Sequence, residues 1–410
     1  MNLKARAMLS AEEQLHIIAS GVDRIVPESA LLEKLKRGKP LNVKLGVDPT
    51  APDIHIGNAV PLRKLRQFQD LGHQVTLIIG DGTALIGDPS GRNSTRPQLT
   101  ADQVKHNAQT YVDQAFKVLD ADKTTLVYNS EWLLELKLED LLGLLSKFTV
   151  ARILERDDFH NRYTTNQPIA VHEFLYPIMQ AYDSVVIKAD VELGGSDQLF
   201  NLLAGRELME KMGMEPQVCL TLPLLEGTDG VQKMSKSYGN YIGVTDEPAD
   251  MFGKVMSIPD ELMVKYYRLA STVPVDEIDE IEKGLAADEL HPNKVKRQLA
   301  RNIVEAYYDQ AAAQGAEEQF DLVFKQHEIP DDIPEYAADL TPNDDGLVYL
   351  AKLIADAGLA NSAGEARRLI DGGGVKVNGE PVAPKSYNVD PVILADATLQ
   401  VGKRKFVKIV

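Results

Sequence analysis

Two short stretches carry the residue types that could handle a polyphosphate. The first is Leu45-Gly-Val-Asp-Pro-Thr-Ala-Pro-Asp-Ile-His-Ile-Gly-Asn58. Residues Val43 to Val47 alternate like a strand that ends at Asp48. Pro49, Thr50 and Pro52 turn the chain, and Val60, Leu62, Leu65 and Phe68 then take helical spacing. A strand that delivers a short loop into a helix start leaves unpaired N–H groups aimed at one spot, which suits an anion. Gly57 lets a flat group approach the backbone, and His55 adds a ring donor beside it. The second stretch is Lys233-Met-Ser-Lys-Ser237, flanked by Gly230 and Gly239. Two lysines three residues apart on such a loop can reach one polyphosphate from the same side. Taken singly, each stretch is equally well an ordinary turn, because turns use the same residue types.

Such residues need a scaffold that brings them together. Residues 10–40 read as helical, with Leu15, Ile18, Val22, Ile25 and Val26 at core spacing. Gln74–Gly80 and Thr124–Asn129 read as strands, and Ser184–Asp190 as a further one. Thr100–Leu119, Leu133–Leu145 and Asp197–Met212 read as helices. Strands alternating with helices predict an α/β fold, a parallel sheet covered on both faces. Ligands of such sheets sit at the carboxyl ends of the strands, where two crossovers diverge, and the first stretch falls at such an end. Beyond Asp246 only helices are expected. The Asn293–Tyr308 segment puts Lys294, Arg297 and Arg301 on one face, and such faces are mostly solvated. Residues 328–345, with Pro330, Pro334 and Pro342 among acidic residues, read as a linker. After it come a helix over Leu347–Ala357 and a second, Ala363–Ile370, with Ser362 and Glu365 as a capping box. A strand with a turn at Val375–Gly379 and a closing apolar alternation follow. The expected division is therefore 1–240, 241–327, 328–345 and 346–410.

Bulk properties narrow the class. The chain has 410 residues, 44% hydrophobic and 26% charged, which fits two or three globular domains. The single cysteine, Cys219, excludes a disulfide framework and a cysteine-rich zinc site. Glu12, Glu13 and His16 interrupt any apolar core of a signal peptide, and no run approaches a membrane span, so a cytoplasmic location is expected. A net charge of −17 argues against nucleic acid only if it is evenly spread. Residues 345–410 hold nine basic and seven acidic side chains, a tail of +2 that leaves −19 for the rest. An acidic enzyme with an RNA-binding appendix fits that asymmetry, and so does an acidic enzyme with a neutral tail.

In this order and spacing, the two opening stretches resemble the paired signatures of the class I aminoacyl-tRNA synthetases. Along most of the chain the other motifs resemble the tyrosyl-tRNA synthetase family. Tyr176-Pro-Ile-Met-Gln-Ala-Tyr-Asp183 is similar to that family's tyrosine pocket. By residue type alone, Tyr176 reads as a core aromatic and Asp183 as a cap, although positions 176, 180 and 183 share one helical face. The resemblance implies that Tyr176 and Gln180 hold the substrate ammonium, that Asp183 accepts the phenolic proton, and that Thr83 and Asp88 close around the ammonium. It puts Arg92 and Arg96 at the pyrophosphate. Gly194-Gly-Ser-Asp-Gln198 resembles the adenylate loop, with Asp197 at the ribose and Gln198 beside the adenylate. Gly46, Asp48, Gly57 and Asn58 approach the nucleotide from the first stretch, and Met234 and Ser235 from the second. Thr50, His55, Lys233 and Lys236 serve the phosphates. Two positions depart from the family pattern. Asn58 stands where many relatives carry a second histidine, and keeps one N–H donor. Lys44 stands where a tyrosine often shares the substrate hydroxyl, which leaves phenol recognition to Asp183.

The C-terminal run Ala360–Ile370 with Val375–Gly379 resembles a small RNA-binding domain named for a ribosomal small-subunit protein. It implies that Arg367, Arg368 and Lys376 face RNA phosphates. The resemblance as a whole implies a Rossmann-like catalytic domain, an all-helical domain and a small α+β RNA-binding domain. It also implies ATP with Mg2+ as co-substrate, the metal carried by ATP rather than by protein ligands, and no tightly bound prosthetic group. L-tyrosine, tRNA(Tyr) and a second copy of the chain are the implied partners, with no membrane. The dimer surface is expected at residues 133–153. Three rivals share some of these signatures. They are a tryptophanyl-tRNA synthetase, a small nucleotidyltransferase, and an RNA-binding protein with an inactive synthetase core.

Overall fold

The structure, a computed structural model, describes residues 9–49, 53–89, 100–324, 333–343, 346–402 and 405–410. It divides into two compact units, Met1–Ala316 and Glu317–Val410. The first is built on six strands: β1 (Arg24–Val26), β2 (Asn42–Val47), β3 (Gln74–Ile79), β4 (Thr124–Tyr128), β5 (Val191–Gly195) and β6 (Val218–Leu222). Their order across the sheet is β1-β6-β5-β2-β3-β4. All neighbours are parallel except β1, which runs antiparallel on β6. β3, β5 and β6 are buried along nearly their whole length because both faces of the sheet are covered. Helix α3 (Ile56–Asp70) leads from β2 to β3 and buries Ile56, Val60, Leu62, Leu65 and Phe68. β5 lies on the other edge of β2 and is reached only after β4, so the crossovers diverge between β2 and β5. A crevice opens there, beyond Val47 and Gly195.

Three sequence expectations are corrected. Residues 10–40 form two helices, α1 (Ala11–Ala19) and α2 (Glu28–Lys36), with β1 between them. Gly21 adopts the left-handed region after α1, and Arg24–Val26 pairs with Cys219–Thr221, so sheet pairing overrides the helical spacing. The Leu133–Leu145 helix is two, Ser130–Leu133 and Leu138–Leu145. Ser184–Asp190 is not a strand. Helix Leu175–Ile187 runs through the β-branched residues to its left-handed cap Lys188, and the strand begins at Val191. Packing decides this, because that helix lies along helix Leu199–Lys211 at Gly205. A Cβ on Gly205 would stand 2.7 Å from Gln217 Nε2 and 2.9 Å from Ser184 Oγ.

Beyond the sheet, five helices follow: Pro248–Met256, Met263–Ala270, Val275–Ala286, Pro292–Tyr307 and Gln310–Phe324. In the fourth, Val295, Leu299 and Ile303 are buried and Lys294 is exposed, with Arg297 and Arg301 half-buried. Most of this helical part belongs to the same compact unit as the sheet. The second unit packs helices Leu350–Asp356 and Ala363–Asp371 on a five-stranded sheet through Leu350, Ile354, Ala366, Ile370, Val375 and Leu399. An Asn378-Gly379 turn, both residues at positive φ, closes the hairpin of Val375–Val377 with Glu380–Pro381. Part of the stretch read as a linker, Glu335–Tyr336, is a strand pairing in parallel with Lys405–Ile409.

Gly205→Ala should therefore destabilise the protein by about 1–3 kcal/mol, since the added methyl has no room beside Gln217 and Ser184. A thermal melt with an unchanged midpoint would contradict that close packing.

Candidate active site

The crevice is a cavity of about 320 Å³. Gly46 and Asp48 line it from the end of β2, and Gly57 and Asn58 from the start of α3. Thr83 and Asp88 come from the segment after β3. Tyr176, Gln180 and Asp183 come from helix Leu175–Ile187, and Gly194, Asp197 and Gln198 from the end of β5. A larger open hollow, about 720 Å³, is lined by Asp81, Leu85, His106, Tyr128 and Leu134 among others and holds none of the candidate residues. Thr50, Arg92 and Arg96 lie outside the described residues.

Asp48 is a hub at the inner end. Thr83 Oγ1 donates to its Oδ1 at 2.7 Å and Tyr176 Oη to its Oδ2 at 2.8 Å. Burial, with Asp48 and Asp88 nearby, raises the Tyr176 pKa, so the phenol stays a donor. Gly80 must be glycine here, because a Cβ would stand 2.1 Å from Asp48 Oδ1. Asp88 accepts from Gln198 Nε2 at 2.8 Å and from Arg156 Nη2 at 3.1 Å. Asp183 is held by Trp132 Nε1 at 2.8 Å and Asn129 Nδ2 at 3.2 Å. Burial pushes its carboxyl up to about 6, against the opposing charge of Lys44.

Two residues stand differently from their expected places. Lys44 does not line the cavity. Its Nζ lies 3.1 Å from Glu192 Oε1 and 3.3 Å from the Gln180 carbonyl. Gln180 lines the cavity, but its Nε2 donates to Glu192 Oε1 at 3.1 Å.

The outer rim joins the two opening signatures. His55 caps α3: its Nδ1 accepts the Asn58 N–H at 3.2 Å, and Asn58 Oδ1 accepts the His55 N–H at 3.4 Å. Burial first, then the charge of Lys236, lowers the His55 pKa to about 4. The neutral ring therefore carries its proton on Nε2. Ile56 N–H donates to Ile242 O at 2.9 Å, and Val244 N–H to Ile54 O at 3.1 Å. A Cβ on Gly57 would lie 3.3 Å from Met234 Cβ, so the glycine lets the lysine loop sit close. Lys236 pairs with Asp53, and Lys233 is near enough for its charge to lower the proton affinity of Asp197, which burial raises. Asn240 ties the loop down. Its Oδ1 accepts the Ser235 N–H at 2.8 Å, and its Nδ2 donates to Asp229 at 2.8 Å and to the Lys233 carbonyl at 3.3 Å.

Sequence reasoning missed Asn129, Trp132, Arg156, Glu192 and Asn240. Asn129 directly follows β4, a position where a polar residue could have been flagged. The others carry no local signal. In the second unit, Arg367 and Arg368 are exposed on helix Ala363–Asp371, and Lys376 is half-buried on strand Val375–Val377.

A family profile described as tRNA synthetases class I (W and Y) matches residues 36–325. This chain belongs to that family. A second profile, the S4 domain, matches residues 350–391 of the synthetase. The tyrosine–tRNA ligase of Syntrophotalea carbinolica is 53% identical over 408 residues, covering 98% of each chain. That of Thermotoga maritima is 50% identical over 401 residues, again 98% of each. Among solved structures, a truncated mitochondrial tyrosyl-tRNA synthetase from Aspergillus nidulans has a TM-score of 0.64 at 24% identity, covering 77% of this chain and 94% of its own. A tyrosyl-tRNA synthetase from Archaeoglobus fulgidus, solved with L-tyrosine, has a TM-score of 0.62 at 23% identity, covering 75% and 99%. These structures share the fold: an α/β Rossmann-like sheet followed by helices.

Asn240→Ala should loosen the synthetase's lysine loop. Losing hydrogen bonds worth about 1–2 kcal/mol should speed tryptic cleavage after Lys233 or Lys236 roughly tenfold. Unchanged cleavage would remove Asn240 as the anchor.

Proposed function

We infer that this synthetase is a tyrosine–tRNA ligase. It activates L-tyrosine with ATP to tyrosyl-adenylate and transfers the tyrosyl group to the 3′ end of tRNA(Tyr), releasing AMP and pyrophosphate. One observation carries the reading. Thr83, Asp88, Tyr176, Gln180 and Asp183, five of the residues that the tyrosyl resemblance singles out, line one cavity, in a chain matched almost end to end by relatives of that name.

In the first step a tyrosine carboxylate oxygen attacks the α-phosphorus of ATP, and the bond to the β-phosphate oxygen breaks. The attacking carboxylate is already a nucleophile, so the step needs no general base. The protein supplies position and cations. In the second step a ribose hydroxyl of the tRNA attacks the tyrosyl carbonyl carbon and AMP leaves. Asp183, the buried acceptor held by two N–H donors, takes the phenol. Tyr176, Thr83, Asp88 and Gln180 surround the ammonium. Because Gln180 gives its N–H to Glu192, its Oε1 is the atom left to accept from that ammonium. Gly46, Asp48, Gly194, Asp197 and Gln198 receive the ribose and adenine side. His55 offers Nε2–H to the phosphates, and Lys233 and Lys236 close over them once Lys236 leaves Asp53. Thr50 serves the phosphates beside His55, and Arg92 and Arg96 add the cations for the pyrophosphate. Magnesium arrives on the ATP phosphates.

A buried acceptor paired with a phenol rejects phenylalanine, which would keep Asp183 from water while supplying no donor in place of the phenol O–H. Arg367, Arg368 and Lys376 meet RNA phosphates on the S4 domain. Leu134, Leu138, Leu142 and Val150, exposed by 62, 72, 56 and 63%, form the face that joins a second copy. The enzyme works in the cytoplasm, where tRNA is charged.

ATP–pyrophosphate exchange should be stimulated by tyrosine and hardly at all by tryptophan or phenylalanine. Exchange with tryptophan in preference would reverse the assignment, and none with any of the three would end the enzyme reading. Lys233→Ala should slow adenylate formation more than about tenfold with tyrosine binding little changed. Pre-steady-state kinetics showing the wild-type activation rate would take that lysine out of the mechanism.

A further inference from the structure

Lys44 and Glu192 face each other on adjacent parallel strands, in register, and each is 1% exposed. A buried charge persists only when a partner meets it, and a buried pair costs desolvation that hydrophobic residues would not. Something must keep this pair, and its surroundings indicate what. Glu192 Oε1 receives Lys44 Nζ at 3.1 Å and Gln180 Nε2 at 3.1 Å. Its Oε2 receives Ser184 Oγ at 3.2 Å and Gln217 Nε2. Lys44 Nζ also meets the Gln180 carbonyl at 3.3 Å. Helix Leu175–Ile187 is thus fastened to the sheet at Gln180 and Ser184, on either side of Asp183.

We propose that Lys44 and Glu192 act as one positioning unit for amino-acid specificity, Glu192 orienting Gln180 and Lys44 holding Asp183 as an ionised acceptor for the phenol. The proposal rests on the tyrosine reading and assigns Lys44 a place behind the pocket instead of at the substrate. The charge balance explains the arrangement. Charged groups here are Asp183 and Glu192 against Lys44; Cys219, in register beside Glu192, is a thiol that burial pushes up to about 12, so it stays neutral across the range tested. The other groups facing Asp183, Trp132 and Asn129, are neutral donors. Burial and Glu192 favour a proton on Asp183; Lys44 and the two donors oppose it. Lys44 taken away alone leaves two buried carboxylates that repel each other without a nearby cation, so Asp183 takes up a proton at higher pH. A protonated Asp183 no longer offers the charged acceptor that a phenol O–H prefers. Lys44 and Glu192 taken away together remove both opposing charges, and Asp183 stays near its original balance.

The test compares wild type, Lys44→Met, Glu192→Gln and the double variant by tyrosine-dependent ATP–pyrophosphate exchange between pH 5.5 and 8.5, covering about the range in which the shifted group titrates. In the wild type, the KM for tyrosine should rise as pH falls through about 6. In Lys44→Met that rise should begin at least about one unit higher, with KM at pH 7 raised about tenfold and kcat changed less than about threefold. The double variant should return most of the way in both pH profile and KM. Phenylalanine affinity, measured by its inhibition of exchange, should not weaken as pH falls in any of the four, since phenylalanine has no phenol to offer the carboxylate.

A pH profile unmoved in Lys44→Met would overturn the proposal. So would a double variant whose loss equals the product of the two single losses. If Lys44→Met does not fold, the double variant still decides. A tyrosine KM close to wild type supports the unit, and a loss of tenfold or more with an unshifted pH profile shows Lys44 acting on the substrate itself. A wild type lacking tyrosine-dependent exchange would overturn the functional reading itself, an outcome separate from any of these.

Discussion

Strand β2 is hydrogen-bonded along both edges, to β3 and to β5, and the site depends on where it ends. Its neighbours on either side belong to crossovers that leave in different directions, so the space beyond Val47 and Gly195 stays open. Every chemical group of the cavity reaches it from a strand end or from a helix that begins there. Asp48 is the first residue past β2, and it takes hydrogen bonds from Thr83, beyond β3, and from Tyr176, on the helix before β5. One carboxylate thereby registers three parts of the chain against one another. Gly80 shows how little slack remains, since a single methyl there would occupy the place of that carboxylate.

The same geometry makes the two anion-handling stretches one object. Backbone hydrogen bonds tie Ile54 and Ile56 to Val244 and Ile242, just after the lysine loop, so the loop folds back beside the start of α3. Met234 closes on Gly57, and the lysines stay at the rim. A neutral His55, with its outward proton on Nε2, fits a rim already supplied with cations: it can donate without adding another repelling charge.

Polar groups in and behind the cavity follow the ordinary rule that burial must be compensated. Asp183 has Trp132 and Asn129, Asp88 has Arg156 and Gln198, and Glu192 has Lys44, Gln180, Ser184 and Gln217. Each compensation constrains a direction. Gln180 turns its side-chain N–H inward and so keeps its Oε1 for a ligand. The network thus sets which end of an amide is available, a detail that residue type leaves open.

Much of this was legible from residues alone. Glycines and prolines around a strand end, lysines three apart, and the 176, 180, 183 helical face all follow from local periodicity and turn chemistry. Those rules act over a few residues, so a chain read in order suffices. Local rules failed where distant pairing won. Arg24–Val26 became a strand only because Cys219–Thr221 lies beside it, and Ser184–Ile187 stayed helical because Gly205 lets a second helix pack close. The partner of Lys44 could not be read either. Sequence alone placed a lysine where a phenol contact was expected, and donor chemistry made it an awkward neighbour for that phenol. Only the parallel register of β2 with β5 set it against Glu192 instead. Types and spacings along the chain determined which residues could do this chemistry. The long-range pairing of strands, through burial that demands a partner for every charge, decided which of them face the ligand and which stand behind it.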